Sequence, residues 1–362
     1  MCLVEDIPLL LRTFFRLYGV IQFSCNVPPK SFYSYVYRLY CTPVLVLYSY
    51  CCYSWLSLYI STADSTPDKV DAIISIIDIP LTLASLLILT LRSNQLQILL
   101  LKLNAVKTKS YKAQNNEKNC LKICIFIIAV LHFVYVIIFP DFFVSSVYYF
   151  MPSTIGLCAH LFLDEILKSI RLEFIKINKE LERRAVRDLV NLNQQEIHSM
   201  LCRTDELTLH HSDLVSLATD FNELFDIVTI SSMITWLVSV IDAVYVLMHN
   251  LWVETTIKIT ALVFTAVNIL IYFLWFSLMV RMYSRTQNEA NQTAEFVHDV
   301  WNRYPKKINV DLKTVRSLEL ISLRLLNHKL HFIARNFFKL DETFCHLMVA
   351  AVATYVVILF QF

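Results

Sequence analysis

Seven stretches of this chain stay apolar for about 20 residues, the length that crosses about 30 Å of hydrocarbon. They run at about 40–60, 70–91, 122–140, 147–167, 227–249, 257–280 and 343–362. In hydrocarbon every backbone N–H and C=O must be satisfied within the protein, so each stretch is expected to be a helix. The expected architecture is an all-α membrane protein, a single domain over residues 1–362 with seven transmembrane helices. Charged residues are only 17% and hydrophobic residues 56% of the chain, whereas soluble domains carry about 25% charge. A weaker apolar stretch at 9–23 is interrupted by Arg12 and Arg16, which fits a helix lying in the membrane interface.

Charge fixes the expected orientation. With the N-terminus in the cytoplasm, all of the 32 Lys and Arg residues except Lys69 and Lys258 fall on the cytoplasmic side. Cytoplasmic loops are the ones enriched in basic residues. Seven spans then place the C-terminus outside. The long cytoplasmic segments, about 168–225 and 281–340, mix charge with apolar residues at spacings of three and four, as in Ile170, Phe174, Ile177 and Leu181. They are expected to form helical extensions, an anchor below the membrane. Leu325, Leu330, Ile333 and Phe337 are read as one such helical stripe. Pro305 suits a helix start, and Asp341 suits the N-cap of the last span.

Several classes of chemistry are excluded. The only two glycines, Gly19 and Gly156, cannot build a phosphate loop or a glycine-rich filter. No nucleophile elbow, zinc-protease helix or kinase motif is present, so no enzyme, metal or cofactor is expected. None of the ten cysteines falls in an expected outside loop, so no external disulfide is expected.

The expected outside loops, roughly 61–69, 141–146 and 250–256, are too short to build a binding domain. A ligand must enter between the outer halves of the spans. Polar groups there are costly in lipid and should face a cavity or a partner. The candidates are Asp78 in span two, with Pro80 as the expected kink, His132 and Tyr135 in span three, and Tyr149 and Thr154 in span four. Spans five and six add Trp236, Asp242 and Tyr245, then Asn268 and Tyr272. A pocket of aromatic walls and a few polar anchors suits a small organic molecule. Each of these residues could instead be an ordinary hydrogen-bonding or interfacial side chain.

The last span carries the second constellation. Thr354, Ile358 and either Gln361 or Phe362 share one helical face. Around a symmetry axis, that face gives an apolar ring at Ile358 beside a polar ring at Gln361, and an apolar ring can close a pore by dewetting. A plain packing helix with Gln361 in headgroup water is the other reading.

The stretch from His328 to Phe344, followed by Thr354-Tyr355, five apolar residues and Gln361-Phe362, resembles the C-terminal signature of the insect gustatory receptors, relatives of the insect odorant receptors. The resemblance implies a tetrameric, ligand-gated, non-selective cation channel. The last span would line the pore with Thr354, Ile358, Gln361 and Phe362, and a pocket among spans two to six would take a small-molecule tastant. It also implies the plasma membrane of a sensory dendrite and assembly as a homo- or heterotetramer. Nothing in the chain marks a sugar pocket, so bitter or other non-sugar compounds are the expected ligands. A receptor coupled to a G protein would need the opposite orientation, and a secondary transporter using Asp78 and Asp242 would need an inverted repeat that is not visible.

Overall fold

The computed structural model describes residues 41–62, 66–106, 143–186, 194–252, 259–303, 312–335 and 337–359. In chain order its elements are α1 (Cys41–Thr62), α2 (Thr66–Leu91), α3 (Ser93–Val106), α4 (Phe143–Val186), α5 (Gln194–Trp252), α6 (Ile259–Arg303) and α7 (Leu312–Asn327). A short antiparallel hairpin, β1 (Ile333–Ala334) and β2 (Phe338–Lys339), leads into the terminal helix α8 (Glu342–Leu359).

The expected spans at 40–60, 70–91, 147–167, 227–249, 257–280 and 343–362 lie on α1, α2, α4, α5, α6 and α8 (Glu342–Leu359). The expected span at 122–140 and the interfacial helix at 9–23 lie outside the described residues, as does Pro305.

Three long helices form the framework. α4 has 44 residues, α5 has 59 and α6 has 45, each far longer than a bilayer needs. They pack against one another along their length. Their shared core contains Phe162 and Phe174 from α4, Phe221, Phe225 and Trp236 from α5, and Phe276 and Tyr283 from α6, all at most 1% exposed. Trp236 stacks on Phe276 with ring centroids 4.2 Å apart.

In the segment expected below the membrane, polar side chains stitch the same helices together. Asn178 of α4 donates to the Glu289 carbonyl of α6 (2.8 Å) and accepts from Thr293 Oγ1 (2.6 Å). His211 of α5 donates from Nε2 to the Ala290 carbonyl (2.9 Å). Burial holds the His211 imidazole below its ordinary pKa; the Ala290 carbonyl opposes that shift and neighbouring His210 adds to it. The ring is therefore neutral, which suits a buried donor with a single carbonyl partner.

Among the described residues, Cys202–Met248 and Thr265–Asp299 are each long and apolar enough to cross a membrane alone. Ile76–Leu91 and Ser93–Val106 form a further span if the pair, bent by 58°, is taken as one. Pro80 lies inside α2, but this bend falls twelve residues later by residue number, at Arg92. There the guanidinium donates to the Glu223 and Leu224 carbonyls of α5 (2.8 and 3.3 Å) and lies 3.7 Å from Asp226 Oδ1. Large apolar side chains such as Tyr50, Tyr53, Leu87, Leu270, Leu347 and Val357 stand more than half or close to half exposed on α1, α2, α6 and α8. Such a surface belongs against lipid or another subunit rather than water.

The segment after α7 departs from the sequence expectation. The stripe through Leu325, Leu330, Ile333 and Phe337 is not one helix: α7 ends at Asn327 and the chain continues extended into the hairpin. Leu330, Phe332 and Ala334 are buried, whereas His331 and Arg335 are exposed, an alternation of period two that marks extended chain. Asn291 of α6 pairs with both backbone groups of Leu330 (3.2 and 2.9 Å), and Asn222 of α5 donates to the Ile333 carbonyl (3.0 Å). These partners replace the helical hydrogen bonds. Arg335 turns the hairpin at φ 45°, the left-handed region, and Phe337 is left 78% exposed. Asp341 then accepts from the Phe344 N–H (3.1 Å), the N-cap contact of α8.

Candidate functional site

The polar groups of the helical framework converge on a small cavity between α2, α4, α5 and α6. It measures about 10 Å³ and is bordered by Thr82, Ser85, Ile155, Gly156, Ser231, Ser232, Thr235 and Trp275. That is close to the room one water needs. Thr82, Ser85 and Ser231 donate to the carbonyls of Asp78, Leu81 and Ile227 on their own helices (2.9, 2.9 and 3.0 Å). A hydroxyl that spends its proton on a carbonyl four residues back keeps lone pairs for another donor. Trp275 supplies the opposite sense: its Nε1–H is buried with no hydrogen-bond partner among the described residues. The cavity is therefore lined by hydroxyl acceptors and by the Trp275 ring.

Gly156 permits this geometry. A Cβ there would stand 3.0 Å from Ser232 Oγ and 3.3 Å from Trp275 Cζ2, so a larger residue would press on two cavity walls.

Asp78 lies one turn from Thr82 on α2. It shares a side-chain hydrogen bond with Thr235, and its Oδ1 is buried without a hydrogen-bond partner among the described residues. Of the other candidate pocket residues, Trp236 packs in the core, donates from Nε1 to the Tyr272 carbonyl (2.7 Å) and meets Phe273 edge-on at 6.0 Å. It borders neither this cavity nor a second one beside His160. Tyr245 is buried, and Asp242, Asn268 and Tyr272 are half-buried. Tyr149 and Thr154 lie on α4, with side chains outside the described set. His132 and Tyr135 lie outside the described residues. The structure thus places Asp78 against Thr235, a residue of the cavity wall, and lines the cavity itself with hydroxyls that sequence reading passed over. Their signal was the close grouping of Ser231, Ser232 and Thr235 on one helix, opposite one of only two glycines.

On α8 one stripe packs inward and another does not. Phe344 and Val352 are buried, and Met348 and Val356 pack against the core. Thr354 is exposed, with Oγ1 bonded to the Ala350 carbonyl (2.9 Å), and Ile358 is 40% exposed. Both therefore point away from the protomer core. Gln361 and Phe362 lie outside the described residues.

Comparison with known proteins gives a consistent answer. The profile of the 7tm Chemosensory receptor family matches residues 9–362. Among solved structures, the insect olfactory receptor OR5 from Machilis hrabei in complex with eugenol is similar, with a TM-score of 0.73 at 12% identity, covering 99% of this chain and 97% of that one. The structure of the same receptor described without a named ligand is also similar, with a TM-score of 0.73 at 12% identity and 97% of each chain covered. At that identity the likeness is one of fold. No curated protein matches the sequence. The match along nearly the whole chain, on helices that carry the apolar surface of a multi-pass membrane protein, makes this chain a member of the insect 7tm chemosensory receptor family, receptors rather than enzymes.

Proposed function

We propose that the chain is a gustatory receptor, a subunit of a tetrameric, ligand-gated, non-selective cation channel in the plasma membrane of a sensory dendrite. The observation that carries the gustatory reading is the C-terminal pattern Thr354-Tyr355, five apolar residues, Gln361-Phe362, on a chain of the chemosensory family. Subunits are homomeric or shared with other gustatory receptors. The ligand is a small organic tastant, bitter or otherwise non-sugar.

Asp78, the Thr82–Thr235 hydroxyl group and Trp275 form a polar part of the binding region in this reading, together with His132, Tyr135, Tyr149, Thr154, Asp242, Tyr245, Asn268 and Tyr272. Trp236 acts as a packing residue behind it. A donor and several acceptors in an apolar setting orient a ligand by hydrogen bonds that are strong because water is excluded. Ligand binding favours one arrangement of α5, α6 and α8 over another, and only that difference in affinity can open the channel. Thr354 and Ile358 turn away from the protomer core, which supports a pore-facing stripe completed by Gln361 and Phe362.

The test is a current recording from cells expressing the chain alone and with candidate co-subunits, during a screen of non-volatile tastants. A tastant-evoked cation current that persists when G-protein signalling is blocked is expected. A response that vanishes with that block overturns the channel reading. Responses confined to volatile odorants overturn the gustatory one.

A further inference from the structure

A second cavity lies on the other side of Trp275. It measures about 20 Å³ and is bordered by His160 and Asp164 of α4 and by Trp275, Met279 and Met282 of α6, with leucines completing the wall. We propose that it is a site for one soft monovalent metal ion, Cu(I) or its analogue Ag(I), held by His160 Nε2 and the thioether sulfurs of Met279 and Met282.

The histidine is arranged as a ligand. His160 is 4% exposed. Its Nδ1 lies 2.7 Å from the Gly156 carbonyl, a contact that requires the proton on Nδ1. The lone pair is then on Nε2, which is buried and has no hydrogen-bond partner among the described residues. Metal-bound histidines commonly have this form, with one nitrogen donating to a carbonyl so that the other is fixed in direction and made more basic.

The remaining walls select the ion. Met279 and Met282 are 4% and 3% exposed, three apart on α6 and so on one face. Thioethers are soft donors that bind Cu(I) and bind Na⁺, Mg²⁺ or Ca²⁺ poorly, because hard cations need oxygen shells. A water molecule is also a poor occupant. It needs two to four polar partners, and most of this wall is sulfur, leucine and indole. The Trp275 ring, 5.8 Å from the His160 ring at 71°, adds an aromatic surface that attracts a cation. Asp164, one turn beyond His160 and half-buried, adds a carboxyl group to the wall. An ion here would tie α4 to α6 and bear on Trp275, the wall shared with the hydroxyl cavity.

No sequence motif shows this site, since its histidine and its methionines are more than one hundred residues apart by number. The proposal is independent of the tastant reading.

The test titrates the detergent-solubilised full chain with Cu(I), kept reduced by ascorbate, against the chromophoric chelator bicinchoninate. The parent is compared with M279L/M282L, swaps that preserve volume. Both proteins carry the same ten cysteines, so thiol binding cancels in the difference. The parent is expected to bind one more Cu(I) per protomer, with quenching of indole fluorescence that the double variant lacks. Ag(I) should raise the melting temperature of the parent alone, and Na⁺ and Mg²⁺ should not. Equal stoichiometry and affinity in the two proteins overturn the site. If the double variant does not fold, M279L and M282L singly decide: a loss of affinity at least as large as the about 10- to 100-fold that losing an outer-shell partner costs supports ligation, and none refutes it.

Discussion

Replacing Phe332 and Phe337 separately by alanine asks which residues of the 328–340 segment hold the protein together. Phe332 is fully buried and packs on Tyr283 at a centroid distance of 5.0 Å, while Phe337, five positions on, is 78% exposed. Truncating a buried phenylalanine costs about 3–5 kcal/mol, from lost transfer energy and the cavity left behind. The ring contact with Tyr283 accounts for about 0.5–1.5 kcal/mol of that kind of loss. An exposed residue costs within about 0.5 kcal/mol. F332A should therefore lose about 4 kcal/mol, a large part of a typical stability of about 5–15 kcal/mol. With an unfolding entropy of about 2.1 cal/mol/K per residue, a chain of 362 residues shifts by about 1.3 °C per kcal/mol, so its melting temperature should fall by about 5 °C. F337A should stay within about 2 °C. The assay heats the purified receptor in detergent and follows the surviving monodisperse peak by fluorescence-detected size exclusion. Equal losses in the two variants would refute the period-two packing and restore a helical segment with Phe337 inside.

Other outcomes follow from the same geometry. G156A gains helix propensity of about 1 kcal/mol but presses a methyl group on Ser232 and Trp275; overpacking of about 1–3 kcal/mol should win, and adding S232A should restore part of the loss in a thermal melt. D341A removes the cap on the Phe344 N–H and should cost about 1 kcal/mol, read in the same melt. His211 has a folded pKa below its ordinary value of 6.5, chiefly from burial. Its stabilising contribution is thus complete above pH 6.5 and is lost as pH falls through 6.5 toward the lowered value. H211N should flatten the fall in melting temperature between pH 7 and pH 5, and an unchanged slope would show that other groups carry it. Replacing Ile358 with Asn should raise resting current in recordings without tastant; an unaltered leak would remove that ring as the gate.

The sequence by itself determined that the backbone must be helical in a membrane, because apolar runs of that length have no other way to satisfy their hydrogen bonds. It also determined the Asp341 cap, a local contact between neighbours, and the family, through a pattern confined to contiguous residues. Tertiary structure decided what depends on distant parts of the chain. Leu330 to Ala334 is extended because Asn291 and Asn222, on other helices, take up its backbone groups. Trp236 is an expected pocket aromatic by composition, and only the fold shows that its indole N–H donates to the Tyr272 carbonyl and its ring stacks on Phe276. The polar cavity is made of serines and threonines that look unremarkable singly. They matter only because Gly156 lets α4 approach α5 and α6 closely enough to gather them around Trp275, a proximity between residues dozens of positions apart that local periodicity does not encode.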